Sequence, residues 1–306
     1  MEFVEALLLT VITASTPLLL AASGELVVER AGVLNLGVEG MMIVGAACGF
    51  AGAYTTGSIA IGALCGILGG MALSGVFAAL TLGLAANQVA SGLALTILGV
   101  GLSGLIGAGY VGQKIDGAAH LTVPYISDIP FLGRVLLGQN AFVYFSIALI
   151  VGIWFFLYRT RAGLVLRAVG DNHVSAHALG YPVLKIRLLA VLFGGACAGF
   201  AGAYLPLAYT PFFIPGMTAG RGWIALALVV FASWLPFRLM VGAYLFGGIT
   251  ILQLHAQAVG LGIPSQLMSS LPYLATIVVL VAISWWRGRA GSPAPASLGL
   301  AFVPDR

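Results

Sequence analysis

Residues 186–207 read IRLLAVLFGGACAGFAGAYLPL, a stretch in which Arg187 is the only charged residue. A helix crosses the apolar core of a bilayer in about 20 mainly apolar residues, so the stretch predicts a transmembrane helix. Glycine and alanine recur in it four positions apart. Small residues at that spacing let two helix backbones approach closely in lipid. Within the stretch, the spacing relates Gly195 to Gly199 and Ala198 to Gly202. Gly66 and Gly70 show the same spacing in an earlier apolar run. We therefore expect tight packing between helices.

The rest of the chain has the same apolar character. Of its 306 residues, 60% are hydrophobic and 7% are charged, whereas a soluble domain carries about 25% charged residues. Further apolar runs of spanning length are 3–23, 34–54, 58–80, 88–109, 142–158, 239–257 and 268–286. A shorter run, 221–234, crosses only if it begins inside the membrane. We expect one all-α transmembrane domain over residues 1–306, a polytopic helical bundle of about nine segments.

Charge excludes some functions and predicts an orientation. A net charge of +4 is too small and too dispersed for a nucleic-acid binder. Five basic residues lie between the fifth run and the first turn of the sixth, and the positive-inside rule places such a loop in the cytoplasm. They are Arg159, Arg161, Arg167, Lys185 and Arg187. Nine crossings then put the N-terminus outside and the C-terminus inside a bacterial plasma (inner) membrane, with lipid as a partner. The 110–140 loop falls outside.

The basic loop, residues 159–185, is the longest predicted inward-facing segment. Asp171 is expected to cap a short helix that runs to about Leu179, and Gly180 is expected to end it. A short amphipathic helix in such a loop is typical of a docking element. The alternative is a solvated connector whose charges only set the topology.

The stretch GVLNLGVEG, residues 32–40, places Asn35 and Glu39 among glycines at the head of an apolar run. A carboxylate inside a span is costly and generally faces a cavity or a partner. Glycine interruptions permit a broken helix where the free backbone groups line a cavity. A pathway or pairing role is therefore expected for Glu39. The alternative is a position near the interface, against lipid headgroups.

Polar side chains also open the fourth apolar run, at Asn87, Gln88 and Ser91. Amides both donate and accept hydrogen bonds, which suits recognition of a neutral polar solute. Hydrogen bonds between helices account for these residues equally well.

A second charge lies next to glycines in MTAGRGW, residues 217–223, which contains Arg221. Arg221 either extends to headgroups at the outer interface or pairs with Glu39. The two glycine-flanked charges, each at the head of a run, favour an internal repeat with a site at its interface. We expect one central cavity lined by Asn35, Glu39, Asn87, Gln88 and Arg221.

The sequence contains no catalytic motif. Neither lysine follows a GxxxxG run, so the chain has no phosphate-binding loop and does not hydrolyse ATP by that route. The three cysteines lie in apolar runs and are expected to be free. The histidines lack the spacing of a zinc site. We expect no enzymatic activity, cofactor or metal.

Four stretches, taken in order, resemble the permease subunits of bacterial ABC importers. They are ERAGVLNLGVEGMM at 29–42, NQVASGLAL at 87–95, RAVGDNHVSAHALGYPVLKIRLLAVLFGGACAGFAGAYL at 167–205 and MTAGRGWIALA at 217–227. The resemblance is to the group that serves branched-chain amino acids and simple sugars. Within it, the chain looks most like nucleoside-importer permeases that work with basic-membrane-protein-type binding lipoproteins.

The resemblance implies partners: ATP-binding subunits, a second homologous permease and an extracytoplasmic solute-binding protein. It also implies a helix that couples to the ATPase. The matching residues are Arg167, Gly170, Asp171, Asn172, Ala176 and Gly180. His173 and His177 depart from the proline and the acid that such permeases often have there. The implied function is ATP-driven import of a small neutral polar solute, most simply a nucleoside. The alternatives are a simple sugar, an amino acid, or ion-coupled secondary transport through Glu39.

Overall fold

A computed structural model describes residues 2–119, 138–259 and 294–303, with single positions between 267 and 281. The helices are α1 Glu2–Arg30, α2 Val38–Thr56, α3 Ile59–Ala78, α4 Gln88–Gly107, α5 Ala141–Arg159, α6 Arg161–Asp171, α7 His173–Ala178, α8 Val183–Tyr204, α9 Arg221–Phe231 and α10 Pro236–Val259. Helices α3 and α8 each continue into a π-helical turn, and α4 ends in a 3-10 turn. Within these described ranges an isolated bridge between Lys114 and Phe212 is the only β-type pairing.

Seven described helices are long and apolar enough to cross a membrane. They match the predicted runs from 3–23 to 186–207 and the run 239–257, which confirms a polytopic helical bundle. The predicted run 268–286 lies almost wholly outside the described residues. The predicted run 221–234 contains α9, which has 11 residues and is about 16 Å long at 1.5 Å per residue. That length is about half of the roughly 30 Å apolar core of a bilayer.

The bundle has a basic end, which we define as the end that holds Arg30, α6, α7 and residues 294–303. The first turns of α1 lie at the opposite end, where the Tyr204 hydroxyl donates to the carbonyl of Thr13 at 3.0 Å. The described start of the chain and residues 294–303 therefore lie at opposite ends of the bundle.

The small-residue faces predicted on α3 and α8 meet each other. A Cβ built on Gly70 would lie 2.6 Å from the Cα of Gly199, and one built on Gly199 would meet the carbonyl of Gly66. Only glycine fits at such a contact, because any side chain would separate the two backbones. The predicted tight packing is confirmed, and it holds α8 rigidly in the middle of the bundle.

Helix α2 begins halfway through the bundle rather than at its end. Gly40 packs so closely on α4 that a Cβ there would lie 2.6 Å from the carbonyl oxygen of Leu95, and a Cβ on Gly99 would lie 2.6 Å from the Cα of Gly40. Both contacts fall near the middle of the spanning helix Gln88–Tyr110. The non-helical 31–37 segment therefore rises from the basic end to mid-depth, where α2 starts and continues to the opposite end.

Helix α9 begins at the same depth and runs the other way. Its first residues contact Glu39. The turn after α9 lies at the basic end, where Arg30 donates from Nε and Nη2 to the carbonyl of Trp234 at 3.2 and 2.8 Å. The irregular 210–220 segment precedes α9. Two broken helices thus present their N-termini to each other in the middle of the bundle.

Candidate functional site

The carboxylate of Glu39 joins the two broken helices. Its Oε1 accepts hydrogen bonds from the Thr218 hydroxyl at 2.6 Å and the Gly220 amide at 3.0 Å, and its Oε2 accepts from the Gly222 amide at 2.6 Å. The side chain is buried. Three donors that all come from residues 218–222 therefore satisfy a carboxylate at mid-depth. Glu39 is therefore partnered inside the bundle, and its place in a substrate pathway stays a prediction.

The backbone of residues 218–222 is shaped to receive an anion. Ala219 and Gly220 both have positive φ, 48° and 79°, a conformation that turns successive amide groups toward one point. Gly222 leaves room for the acid, because a Cβ there would lie 2.5 Å from the Cα of Glu39. The negative charge also lies in the first turn of α2 and faces the first turn of α9. Helix N-termini carry partial positive charge, so the carboxylate lies where the positive ends of two helices converge.

The predicted ion pair between Glu39 and Arg221 is wrong. The guanidinium of Arg221 donates to the carbonyls of Met217 at 2.9 Å and Thr218 at 3.2 Å, and it lies 5.7 Å from the ring centre of Tyr209. The physical reason is that each carboxylate oxygen of Glu39 already accepts a hydrogen bond from a backbone amide, that of Gly220 or that of Gly222. Arg221 instead closes the turn that shapes those amides, and it is half-buried.

The amides of residues 31–33 still donate to carbonyls at the end of α1, whereas side chains from the surroundings bond to the backbone of residues 34–36. Gln88 Oε1 accepts from the amide of Leu34 at 2.8 Å, and Glu25 Oε1 accepts from the amide of Asn35 at 3.2 Å. The Thr96 hydroxyl donates to the carbonyl of Leu36 at 3.1 Å. Unpaired backbone groups in an apolar interior are costly, so these residues are what permits the break in the helix.

The predicted cavity residues thus divide into two groups. Asn35 is buried and accepts from the amide of Gly37 at 3.0 Å, so it shapes the turn into α2 beside Glu39 and Gln88. Asn87 is exposed at the start of α4, where it accepts from the amide of Ala90 at 3.0 Å and acts as the helix N-cap. It does not reach Glu39, because it lies at the end of the helix and not at mid-depth. Ser91 is half-buried one turn further along α4.

Two further acids in α1 were not identified from the sequence. Glu25 and Glu29 are each 1% exposed. Glu29 accepts from the indole N–H of Trp234, whereas Oε2 of Glu25 and Nε2 of Gln88 have no partner among the described residues. The available signal was the spacing, because two acids four apart in GELVVER share one helix face. The predicted first span ends at residue 23, before this pair, so neither acid was expected to lie inside the bundle.

A cavity of about 700 Å³ lies elsewhere, between α1, α5, α6 and α8. Its walls are apolar and include Val27, Phe145, Ile153 and Phe193. It contains none of the predicted pathway residues. A polar solute needs hydrogen-bond partners to replace water, so this cavity does not suit one.

The basic end carries the surface predicted for coupling, but with more structure than a loop. Residues 161–171 form α6, and Asp171 is its last residue, so the prediction that Asp171 caps the short helix is wrong. Asn172 caps α7 instead, because it follows the end of α6 and its side chain accepts from the amide of Ser175 at 2.9 Å. Gly180 follows α7 with a φ of 85°, as predicted for the residue that ends it.

The other predicted coupling residues hold α6 and α7 in place. Arg167 lies with its guanidinium 4.8 Å from the ring centre of Tyr158. Gly170 contacts the carbonyl of Arg30 so closely that no side chain would fit. Ala176 is buried on the inner face of α7. On the outer face, Val174 is 65% and Leu179 is 77% exposed. Apolar side chains exposed to this degree are typical of a surface that binds a protein partner.

His173 links this surface to the bundle. It is buried, and its Nδ1 lies 3.2 Å from Nη2 of Arg187. A guanidinium only donates, so Nδ1 accepts and the proton of neutral His173 is on Nε2. Burial, and after it the charge of Arg187, lowers the pKa of His173 below its ordinary value, which keeps the imidazole neutral at physiological pH.

Comparison with known proteins agrees with this architecture. The family model described as "branched-chain amino acid transport system / permease component" matches residues 7–285. A putative glucose ABC transporter permease of Haloferax volcanii is 46% identical, over 92% of each chain. A nucleoside ABC transporter permease of Lactococcus lactis is 33% identical, over 87% of this chain and 88% of the relative. A guanosine ABC transporter permease of Bacillus subtilis is 30% identical, over 91% of each. No solved structure matches the chain.

The family model covers most of the sequence, and relatives at 30–46% identity cover it almost end to end. Those relatives are permeases, so the bundle forms part of a transporter and is not an enzyme. Ion-coupled secondary transport, an alternative left open by the sequence, does not describe this family. The chain belongs to the family of permease components of branched-chain amino acid transport systems, within the ABC transporters.

Proposed function

We propose that the chain forms one half of the translocation pathway of an ATP-driven importer for a sugar or a nucleoside. The observation that carries the proposal is the contact between Glu39 and residues 218–222, which we call the joint at Glu39. There, two broken helices meet at mid-depth through hydrogen bonds to a single carboxylate. Discontinuous helices that meet near the middle of the membrane mark binding and gating sites in other transporters. Because all three donors come from one short segment, moving that segment would open the joint.

The polar groups at this depth support a neutral solute. Glu39 accepts three hydrogen bonds from its own chain, Asn35 contributes an amide, and Thr96 and Thr218 contribute hydroxyls, while the amide of Gln88 lies nearer the start of α4. Groups of this kind hydrogen-bond the hydroxyls of a sugar or of the ribose in a nucleoside. We assign Asn35, Glu39, Gln88, Ser91 and Arg221 to the pathway wall. We remove Asn87, because it caps α4 at the helix end.

Partner subunits complete the pathway. A second, homologous permease would supply the other wall, and an extracytoplasmic binding protein would deliver the solute. At the basic end, the outer face of α7 offers exposed Val174 and Leu179 to an ATP-binding subunit. The coupling residues from Arg167 to Gly180 hold that face in position.

Substrate identity is tested by uptake of radiolabelled solutes. The system would be expressed with its ATP-binding and solute-binding partners in cells that lack their own glucose and nucleoside uptake. We expect uptake of glucose, as in the name of the 46% relative, or of a nucleoside, as in the names of the 33% and 30% relatives. Uptake should stop on ATP depletion and survive a protonophore. Uptake that instead collapses with the ion gradient would contradict the proposal.

Orientation is tested by single cysteines placed at the two ends of the bundle, in a background that lacks Cys48, Cys65 and Cys197. Asp116→Cys and Ser175→Cys are suitable because both positions are exposed. Asn140 is not, since it is 2% exposed and caps α5. The positive-inside rule places the basic end in the cytoplasm. An impermeant thiol reagent applied outside should therefore label position 116 and leave 175 unlabelled. The reverse pattern would overturn the orientation and the coupling assignment together.

A further inference from the structure

The guanidinium of Arg187 connects three separate parts of the basic end. Arg187 is 0% exposed. Its Nε donates to the carbonyl of Ala31 at 3.2 Å, its Nη1 donates to the carbonyl of Leu300 at 3.0 Å, and its Nη2 lies 3.2 Å from Nδ1 of His173. These partners belong to the 31–37 segment, to the chain after the bundle and to α7. One buried cation therefore holds three segments that are far apart in sequence.

The C-terminal strap, which we define as residues 294–303, forms a second connection between the same parts. The Ser297 amide donates to the carbonyl of Gly170 at 2.9 Å, and the Gly299 amide donates to the carbonyl of Gly32 at 3.2 Å. The Ser297 hydroxyl also lies 3.4 Å from the amide of His173. The strap thus bonds to the end of α6, to α7 and to the 31–37 segment within three residues of its own length.

An apolar contact completes the connection. Phe302 is 8% exposed and packs in a small cluster with Val169, Ala176 and Val183. Its ring centre lies 5.2 Å from that of His173 and 5.3 Å from that of His177, both in edge-on geometry. The inner face of α7 therefore rests on the strap. The next residue, Val303, is 40% exposed and offers a matched control.

These contacts form a continuous mechanical path. It runs from α7 through Arg187 and the strap to Gly32, and from there along the extended 31–37 segment to Asn35 and Glu39. We propose that Arg187 and the C-terminal strap are positioning elements that transmit displacement of α7 to the mid-depth joint at Glu39. The coupling role rests on the proposed function, whereas the mechanical connection can be measured without it. In this way α7, which has six residues, is connected to the joint at Glu39.

The connection is tested first on the purified full chain, by hydrogen–deuterium exchange in Phe302→Ala and Val303→Ala. Loss of the Phe302 contact should release the strap, so amides of the 31–37 segment should exchange about tenfold faster or more. Val303→Ala should leave them unchanged. Phe302→Leu, which retains apolar bulk, should restore most of the protection. Unchanged exchange in Phe302→Ala would overturn the mechanical connection whatever the chain transports.

The coupling role is tested next, in liposomes that hold the complete transporter. The readout is the amount of solute imported per ATP hydrolysed. Phe302→Ala and Arg187→Lys should still co-purify with the ATP-binding subunit but lower this ratio about fivefold or more. Lysine retains the charge but lacks the planar fork that reaches three acceptors. Val303→Ala should match the wild type.

The outcomes separate the two claims. Faster exchange together with a lower import ratio supports the inference. Faster exchange with a normal ratio, or loss of the ATP-binding subunit from the complex, would overturn the coupling role, because the strap would then serve only folding or docking. A wild-type complex that imports neither sugar nor nucleoside would refute the proposed function. In that case the exchange experiment still decides whether the strap holds the 31–37 segment.

Discussion

Glu39 at mid-depth and Arg187 at the basic end are both buried charges that bond to main-chain groups and neutral side chains. They differ in how many segments hold them. The three donors to Glu39 come from residues 218–222. The partners of Arg187 come from three segments separated by more than a hundred residues of chain. The first joint opens if one short segment moves, whereas the second opens only if three segments separate.

The difference fits two mechanical roles. Electrostatically, the two sites mirror each other, because the carboxylate lies where amide groups converge and the guanidinium lies where carbonyl groups converge. Dipoles of the backbone replace a counter-ion in both. A joint with donors on one side only is suited to a gate. A joint that links three segments, as Arg187 does, is suited to hold those segments together so that they move as one rigid body.

The contrast between the two sites would fail if the joint at Glu39 and the joint at Arg187 contributed equally to the stability of the fold. Arg187→Gln removes the charge and shortens the side chain, so the buried acceptors at Ala31 and His173 lose their donors, which should cost about 3–5 kcal/mol. Glu39→Gln keeps Oε1 for Thr218 and Gly220 but turns an NH2 group toward the amide of Gly222. One buried donor then faces another, which should cost about 1–3 kcal/mol.

Thermal unfolding in detergent would rank the two variants, with Arg161→Gln as an exposed cationic control. We expect the lowest midpoint for Arg187→Gln, an intermediate midpoint for Glu39→Gln and little change for Arg161→Gln. A lower midpoint for Glu39→Gln than for Arg187→Gln would mean that the mid-depth joint holds the bundle together, and its assignment as a movable gate would then be wrong.

Sequence reasoning located the first joint but not the second, for a physical reason. Glu39 stands out because an acid among glycines in an apolar run has no inexpensive place in lipid. Arg187 lies at the start of a span, where topology alone explains a basic residue. Its burial depends on residues 294–303 folding back onto the bundle, and no local pattern in so short a segment predicts which surface it will cover.

The seven long helices illustrate what composition predicts well, since each follows from an apolar run of spanning length. The errors concern contacts. Asp171 is a residue type that caps helices, but α6 extends through it and Asn172 caps α7 instead. Arg221 was paired with Glu39 because opposite charges attract. Sequence does not reveal that amides of the same turn reach the carboxylate first.

The variant with the smallest expected effect, Arg221→Gln, tests whether Arg221 and Glu39 are unpaired. Arg221→Gln loses hydrogen bonds to two carbonyls, but the side chain is half-buried and both bonds are only partly buried. The cost should therefore be about 0.5–1.5 kcal/mol. The two residues share the segment around Thr218 but do not contact each other directly. Because both residues bond to Thr218, the double variant Glu39→Gln with Arg221→Gln should depart from the sum of the single variants by up to about 1 kcal/mol, and by no more than that without a direct ion pair. Transport rates and unfolding midpoints of all four proteins provide the cycle. A double variant that loses less than the sum by more than about 1 kcal/mol would mean that Arg221 reaches Glu39 in another state of the transport cycle. The anion would then exchange its backbone donors for a side-chain cation as the joint opens.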